Sequence, residues 1–328
     1  MRKYIVKRIL ISILILFFVA FIIYALMRCL PSSYIESMAR QKSMQPGSKS
    51  FDEWMQQLTQ MYNMDKGIIP GYFSWLGQVF RGDFGDSWFY TVPVLEKFSD
   101  TVWLSFIMGA ITMVLEIIIA IPLGIIAAKK QYSKTDYTIS VLALAGISLP
   151  TFFFASLLKL VFCIKLGWFD LMGLVGRNYE QLSAWGKFLD KADHLFLPIL
   201  TLTILSIGGL MRYTRTNMLE VLNADYIRTA RAKGLSERKV IYHHAFRNTL
   251  IPLVTIIGGS LPGLFSGALI TETLFGIPGI GYASYHSMIS GDIPFSMFYL
   301  VFLAVLTLAG NLISDILYAV VDPRVRIA

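Results

Sequence analysis

The chain has 328 residues, of which 55% are hydrophobic and only 15% charged, with a mean hydropathy of +0.60 and a formal net charge of +8. Soluble domains carry about 25% charged residues, so this composition excludes an ordinary soluble globule and points to a membrane protein. The positive charge calls for no nucleic-acid partner, because it concentrates in the segments between apolar runs where membrane topology favours it.

A bilayer core needs about 20 apolar residues per helix. Six stretches meet or approach this: Ile9–Leu30, Thr101–Ala128, Ile139–Lys165, Leu195–Met211, Leu250–Thr271 and Phe298–Val321. The first lacks an A-x-A-like cleavage site after its long apolar run and is expected to be a retained anchor (1–30). Segment 31–100 is too long for a simple connector and should carry structure of its own. Within it Phe51, Trp54, Met55, Leu58, Met61 and Tyr62 recur at helical spacing, predicting an amphipathic helix lying on the membrane or on its neighbours. Gly82-Asp83-Phe84-Gly85-Asp86 predicts a turn.

The spans from 101 to 321 form the expected transmembrane core. Ionisable groups inside spans are informative, because each costs a few kcal/mol unless paired or wetted. Glu116 and Glu272 are candidates for a lined pathway or for inter-helix packing, whereas Lys159 and Asp315 fit hydrogen bonding between helices, or snorkelling in the case of Lys159. Pro122, Pro150 and Pro198 fall inside or at the ends of spans, and Gly259 and Gly263 form a G-x-x-x-G pair that suits close helix packing.

Segments 1–8, 129–138, 212–249 and 322–328 together hold 17 Lys and Arg, against 9 in the longer segments 31–100, 166–194 and 272–297. The bias places both termini, including the tail 322–328, in the cytoplasm. Cys29 and Cys163 lie in or beside apolar spans without a partner pattern. The four histidines make no H-E-x-x-H, and packing roles fit both residue types better than ligation. No G-x-x-x-x-G-K-[ST] phosphate loop, G-x-S-x-G or paired-carboxylate spacing is present, so no catalytic, cofactor-binding or metal residue is expected.

The polar segment 218–249 stands out. Asn223 or Asp225 can cap a helix from Ala224 to Lys233, about 15 Å long. Gly234 suits the left-handed position that ends it, and Ser236 can cap a second helix from Glu237 that runs into Pro252. The small Ala230 and Ala232 leave the first helix thin enough to enter a partner's groove, with Arg228, Arg231 and Lys233 able to meet acidic groups around it. The alternative is a basic loop held against anionic lipid.

This segment resembles the "EAA" coupling loop of ATP-binding-cassette importer permeases of the peptide and nickel family, with Arg228-Thr229-Ala230 standing for the E-A-A triplet. The resemblance runs along nearly the whole chain. It includes Arg28 and Pro31, GDFGDSW (Gly82–Trp88), GISLPTF (Gly146–Phe152), MLEVLNADYIRTARAKGLSERKV (Met218–Val240), HHAFRNTLIP (His243–Pro252), ETLFGIPGIG (Glu272–Gly281) and LYAVVDPRVR (Leu317–Arg326). Ser32 to Tyr34 replace a Gly-Asp often found after the family's first proline, and the large first outer segment resembles the B-type subunit. The resemblance implies an all-α, type I permease with six transmembrane helices in a prokaryotic cytoplasmic (inner) membrane, serving peptides or, in the nearest variant, nickel or another small solute. It also implies a heterodimer with a C-type permease subunit, two ABC ATPase subunits that bind ATP and Mg, and an extracytoplasmic solute-binding protein. Asp225, Tyr226, Arg228, Ala230, Arg231, Ala232, Lys233 and Gly234 would then form the contact with an ATPase. A self-powered secondary transporter would instead show an internal repeat and ionisable groups paired at the midplane.

Overall fold

The structure, a computed structural model, describes residues 2–29, 33–45, 48–61 and 65–321. Pro31, Ser32, Tyr62, the end of the LYAVVDPRVR motif and the tail 322–328 lie outside the described residues. The described chain is helical: α1 (Arg2–Cys29), α2 (Ser33–Ser43), α3 (Phe51–Met61), α4 (Ile68–Val79), α5 (Val94–Lys129), α6 (Lys134–Ser148), α7 (Thr151–Leu158), α8 (Ala184–Leu222), α9 (Asp225–Ala232), α10 (Glu237–Lys239), α11 (Phe246–Ser260), α12 (Leu269–Phe275), α13 (Ile280–Ile289) and α14 (Ile293–Val321).

Among the described residues four helices are long and apolar enough to cross a membrane: Ile5–Cys29, Val94–Lys129, Ala184–Leu222 and Ile293–Leu317. Two bent pairs bring the number to six if each pair is one span. The predicted span Ile139–Lys165 is not one straight helix, since α6 and the run Thr151–Lys165 meet at 102°. The cause is local. Pro150 crowds the residue before it out of the helical region, and Leu149 accordingly takes φ −77°, ψ 126°. The predicted span Leu250–Thr271 also stops short, at Phe265. Gly267 then turns the chain at φ +80° and α12 starts afresh at Leu269. By contrast α8, expected as Leu195–Met211, runs for 39 residues straight through Pro198.

The chain divides into two compact units, one of Met1–Trp103 with Ala283–Ala309 and the other of Leu104–Tyr282 with Gly310–Ala328. In the first, Ala20, Tyr24, Ile35, Leu58, Tyr72 and Met297 are buried in one core. The predicted amphipathic helix is α3, which turns Leu58, Phe51, Trp54 and Met55 to that core. Its start is a reciprocal capping box: Ser50 N donates to Glu53 Oε2 at 2.9 Å and Glu53 N to Ser50 Oγ at 3.3 Å. In the GDFGDSW turn, Gly82 and Gly85 take φ of +78° and +74°, and Gly85 N donates to Asp83 Oδ1. The buried Asp292 carboxylate organises the next residues, accepting from Ser87 Oγ and from the backbone N–H of Trp88, Phe89 and Phe295.

In the second unit α6 lies along α8 so closely that a Cβ on Gly208 would sit 2.4 Å from the Ala143 carbonyl. The G-x-x-x-G pair is used on one side only. Gly259 O would be 2.7 Å from a Cβ on Gly310, whereas Gly263 faces open space.

Candidate functional site

The polar segment begins where α8 ends. At about 1.5 Å per residue α8 is close to 58 Å long, nearly twice a ~30 Å hydrocarbon core, so one or both of its ends must project beyond the bilayer. Asn223 closes α8, its side-chain amide donating to the Leu219 carbonyl at 2.9 Å. The predicted cap of the next helix is therefore corrected. Ala224 holds the N-cap position of α9 with no side-chain bond, because Asn223 is already committed to the preceding turn.

The periodicity of α9 explains how it is held. Ile227 and Ala230 share one face, three residues apart, and both are buried with Ile125 and Ala128 of α5, Met218 of α8, and Val240, Ile241 and Ala245. Ala230 thus points into its own chain, not outward as its small size suggested. Asp225, Tyr226, Arg228, Arg231, Ala232, Lys233 and Gly234 are all exposed. Desolvation of the part of Tyr226 that rests against the chain, and secondly Glu220, push its hydroxyl above the ordinary phenol value. Arg231 is engaged within the chain, Nε donating to Glu237 Oε1 at 2.7 Å, and Arg228 lies 3.6 Å from Asp225.

The end of α9 is a Schellman motif. Gly234 sits at φ +74°, its N–H donating to the Arg231 carbonyl at 2.9 Å, and Leu235 N reaches the Ala230 carbonyl at 3.4 Å. Leu235 then packs on the same apolar cluster. Ser236 caps α10 by position without a side-chain bond, and the chain passes through a π-helical turn, Val240–Ala245, into α11. The segment is a packed corner with one polar face outward.

Two residues that sequence reasoning missed brace this corner. Arg215, seven residues before the end of α8, makes a two-point contact with the buried Asp136 near the start of α6: Nε to Oδ1 at 2.7 Å and Nη2 to Oδ2 at 2.8 Å. Tyr132 N also donates to Asp136 Oδ2 at 2.9 Å. With the partners 79 positions apart in sequence, no local pattern could have revealed the pair.

The candidate pathway residues divide. Glu272 is fully buried and accepts from Ser105 Oγ at 2.7 Å, Ala268 N at 2.9 Å and Tyr282 N at 2.8 Å, which is a packing role. Glu116 is partly exposed on α5, and the nearby Ser206 gives its hydroxyl to the Thr203 carbonyl at 3.1 Å. Lys159 donates to the Leu274 carbonyl at the end of α12, an inter-helix bond. His194 faces Asp170 and the Asp190 carbonyl. Among the described residues no group of three or more His, Cys, Asp or Glu could hold a metal ion.

These features define a multi-pass, all-helical membrane protein with a braced polar corner between spans. Residues 120–327 match the family described as the binding-protein-dependent transport system inner membrane component, and the chain belongs to that family. It is thus a transport component of a membrane and not an enzyme. Its relatives include the oligopeptide transport system permease protein AppB of Bacillus subtilis, 37% identical over 99% of this chain and 100% of that protein. The dipeptide transport system permease protein DppB of Lactococcus lactis is 32% identical over 100% of both chains. Among solved structures, the inward-facing MetNI methionine ABC transporter matches with a TM-score of 0.49 and 16% identity over 68% of this chain and 97% of that one.

Proposed function

We propose that this chain is the B-type permease subunit of an ATP-driven importer for short peptides. The full-length similarity to oligopeptide and dipeptide permeases supports the substrate class. The observation that carries the mechanism is the build of α9, anchored by Ile227 and Ala230 and locked at Gly234, with Tyr226, Arg228, Ala232 and Lys233 left outward. Such a helix transmits force, because its apolar face is joined to the ends of α5 and α8 while its polar face is open to a partner.

In this reading both termini and α9 face the cytoplasm of a prokaryotic cell, and α9 seats in a cleft of one of two ATPase subunits. ATP and Mg bind there and not on this chain. Closure of the ATPase pair displaces α9, and the packed corner passes the displacement to α5 and α8. A C-type permease completes the path, and an extracytoplasmic binding protein delivers the peptide and sets most of the selectivity.

The test is purification of the tagged chain from its own host in mild detergent, with mass spectrometry of what accompanies it and uptake of labelled peptides by proteoliposomes. Recovery of a second permease and ATPases, with uptake that needs ATP, is expected. Recovery of the chain alone, with uptake that runs without ATP, would replace the importer by a secondary transporter. ATP-dependent uptake of nickel but not peptides would move the substrate class.

A further inference from the structure

The segment between the first two spans contains a stretch that the importer reading does not use. Residues 67–80, GIIPGYFSWLGQVF, carry no charged side chain, although Asp65 and Lys66 precede them and Arg81 and Asp83 follow. Fourteen such residues are too few to cross a bilayer, and apolar stretches of that length lie in a core, at the interface, or dip into a leaflet and return. The charged flanks at both ends fit the last two.

The depth of α4 can be measured against α1. The apolar part of α1 runs Ile5–Cys29, and Phe17 is its central residue. Tyr72 of α4 donates its hydroxyl to the Phe17 carbonyl at 2.8 Å, and its ring meets the rings of Phe17, Phe21 and Tyr24 at 5.2–5.7 Å. The backbone itself comes close, since a Cβ on Gly71 would collide with the Tyr24 hydroxyl. Phe21 and Tyr24 stand about 8–12 Å below the Cys29 end of α1, at 1.5 Å per residue. The approach to α4 starts at that end, where Arg28 donates to the Lys66 carbonyl.

A flank of α4 beside this contact is apolar and open. Ile69 is 61% exposed, Phe73 57% and, one residue past the helix, Phe80 82%. Phe73 adjoins α1, its ring 6.3 Å from that of Phe17, and α1 itself exposes apolar side chains there, Ile22 at 55% and Leu26 at 62%. A surface alongside a spanning helix, at the depth of Phe21 and Tyr24, meets hydrocarbon and not water.

We propose that α4 is a re-entrant helix, embedded in the leaflet at the Cys29 end of α1, with Ile69, Phe73 and Phe80 turned to lipid acyl chains. Tyr72 serves as the anchor that fixes its depth. The segment following α1 is then partly membrane-embedded instead of wholly extracytoplasmic, and α1 and α4 together form the lipid-facing flank of this unit. The proposal requires only that α1 spans the bilayer, so it stands or falls independently of the substrate and of the ATPase.

The experiment is site-directed spin labelling of the assembled importer in liposomes, with Cys29 and Cys163 replaced by Ser. Labels go at Phe73→Cys, at Ile22→Cys as the lipid reference on α1, and at Gln56→Cys as the reference on the exposed face of α3. Collision rates are read with oxygen, which concentrates in hydrocarbon, and with a water-soluble nickel chelate. At Phe73 the oxygen-to-nickel ratio should match Ile22 and exceed Gln56 several-fold. A ratio equal to that of Gln56 would put α4 in water and overturn the proposal. Protection from both reagents would overturn it differently, by showing that a protein partner covers the face. Ile69→Cys supplies the same readout if Phe73→Cys does not assemble.

Discussion

Arg215 grips Asp136 at two points, 2.7 and 2.8 Å, and so joins the final turns of α8 to the start of α6. The carboxylate is almost wholly buried, and the guanidinium is about a quarter exposed. α9 follows α8 after two residues, so this pair lies next to the corner that would receive force from an ATPase.

Breaking the pair should loosen the corner. Removing one partner of a buried pair leaves an uncompensated charge and typically costs 3–5 kcal/mol; with Arg215 partly in water, about 2–3 kcal/mol is expected for Arg215→Met. Arg215→Lys should recover only part of this, because an ammonium cannot make the two-point contact. Thermal unfolding of the purified complex, run as a double-mutant cycle with Asp136→Asn, measures the coupling. A coupling energy near zero would mean that the pair braces nothing.

At Gly234 the strain is purely in the backbone. A Cβ there meets nothing within 4 Å, yet φ is +74°. Left-handed geometry costs an ordinary residue about 1–2 kcal/mol and costs Asn less. Transport should therefore fall in the order Gly, Asn, Ala, Val, with insertion into the membrane unchanged and ATP hydrolysis increasingly wasted. Normal ATP-coupled uptake by Gly234→Val would end the idea that this turn sets the angle of the joint.

Ala230 and Ala232 should behave oppositely despite being the same residue two positions apart. Ala230→Leu overpacks the cluster formed with Met218, Ile227 and Val240 and should destabilise the chain itself by about 1–3 kcal/mol. Ala232→Trp lies on the exposed face and should leave the chain's stability alone while reducing the ATPase recovered with it. Quantifying both the melting temperature and the co-purified ATPase separates the two. Equal loss of ATPase with unchanged melting in both variants would contradict the inward placement of Ala230.

Glu272 offers a test of packing against pathway. Its carboxylate accepts from three donors, and in Glu272→Gln one amide N–H would face another. A buried donor left unsatisfied costs about 1–3 kcal/mol, so the variant should accumulate less in the membrane and melt earlier, with its peptide preference unchanged. A changed substrate profile at unchanged stability would restore Glu272 to the pathway.

Much of this protein was legible without coordinates, and for identifiable reasons. Apolar runs near 20 residues mark the segments able to span the bilayer, and a lone glycine flanked by helix formers marks where a helix must stop; the left-handed Gly234 was readable in that way. The period of α3 likewise announced its buried face. These are signals written into neighbouring residues.

What the sequence by itself determined is therefore the class: a multi-span helical chain with one polar corner between spans. Tertiary structure alone decided which side chains that corner keeps for itself. Ala230 looked like an outward-facing small residue until Met218 and Val240 closed over it, and Glu272, open to a pathway or a packing role in the sequence, is surrounded by Ser105, Ala268 and Tyr282. Asp136 and Arg215 carried no signal at all, because a contact across 79 residues exists only once α6 and α8 lie side by side. Local patterns fix which backbone geometry a segment adopts, but whether a polar group meets water, lipid or a distant partner depends on packing that no short stretch encodes.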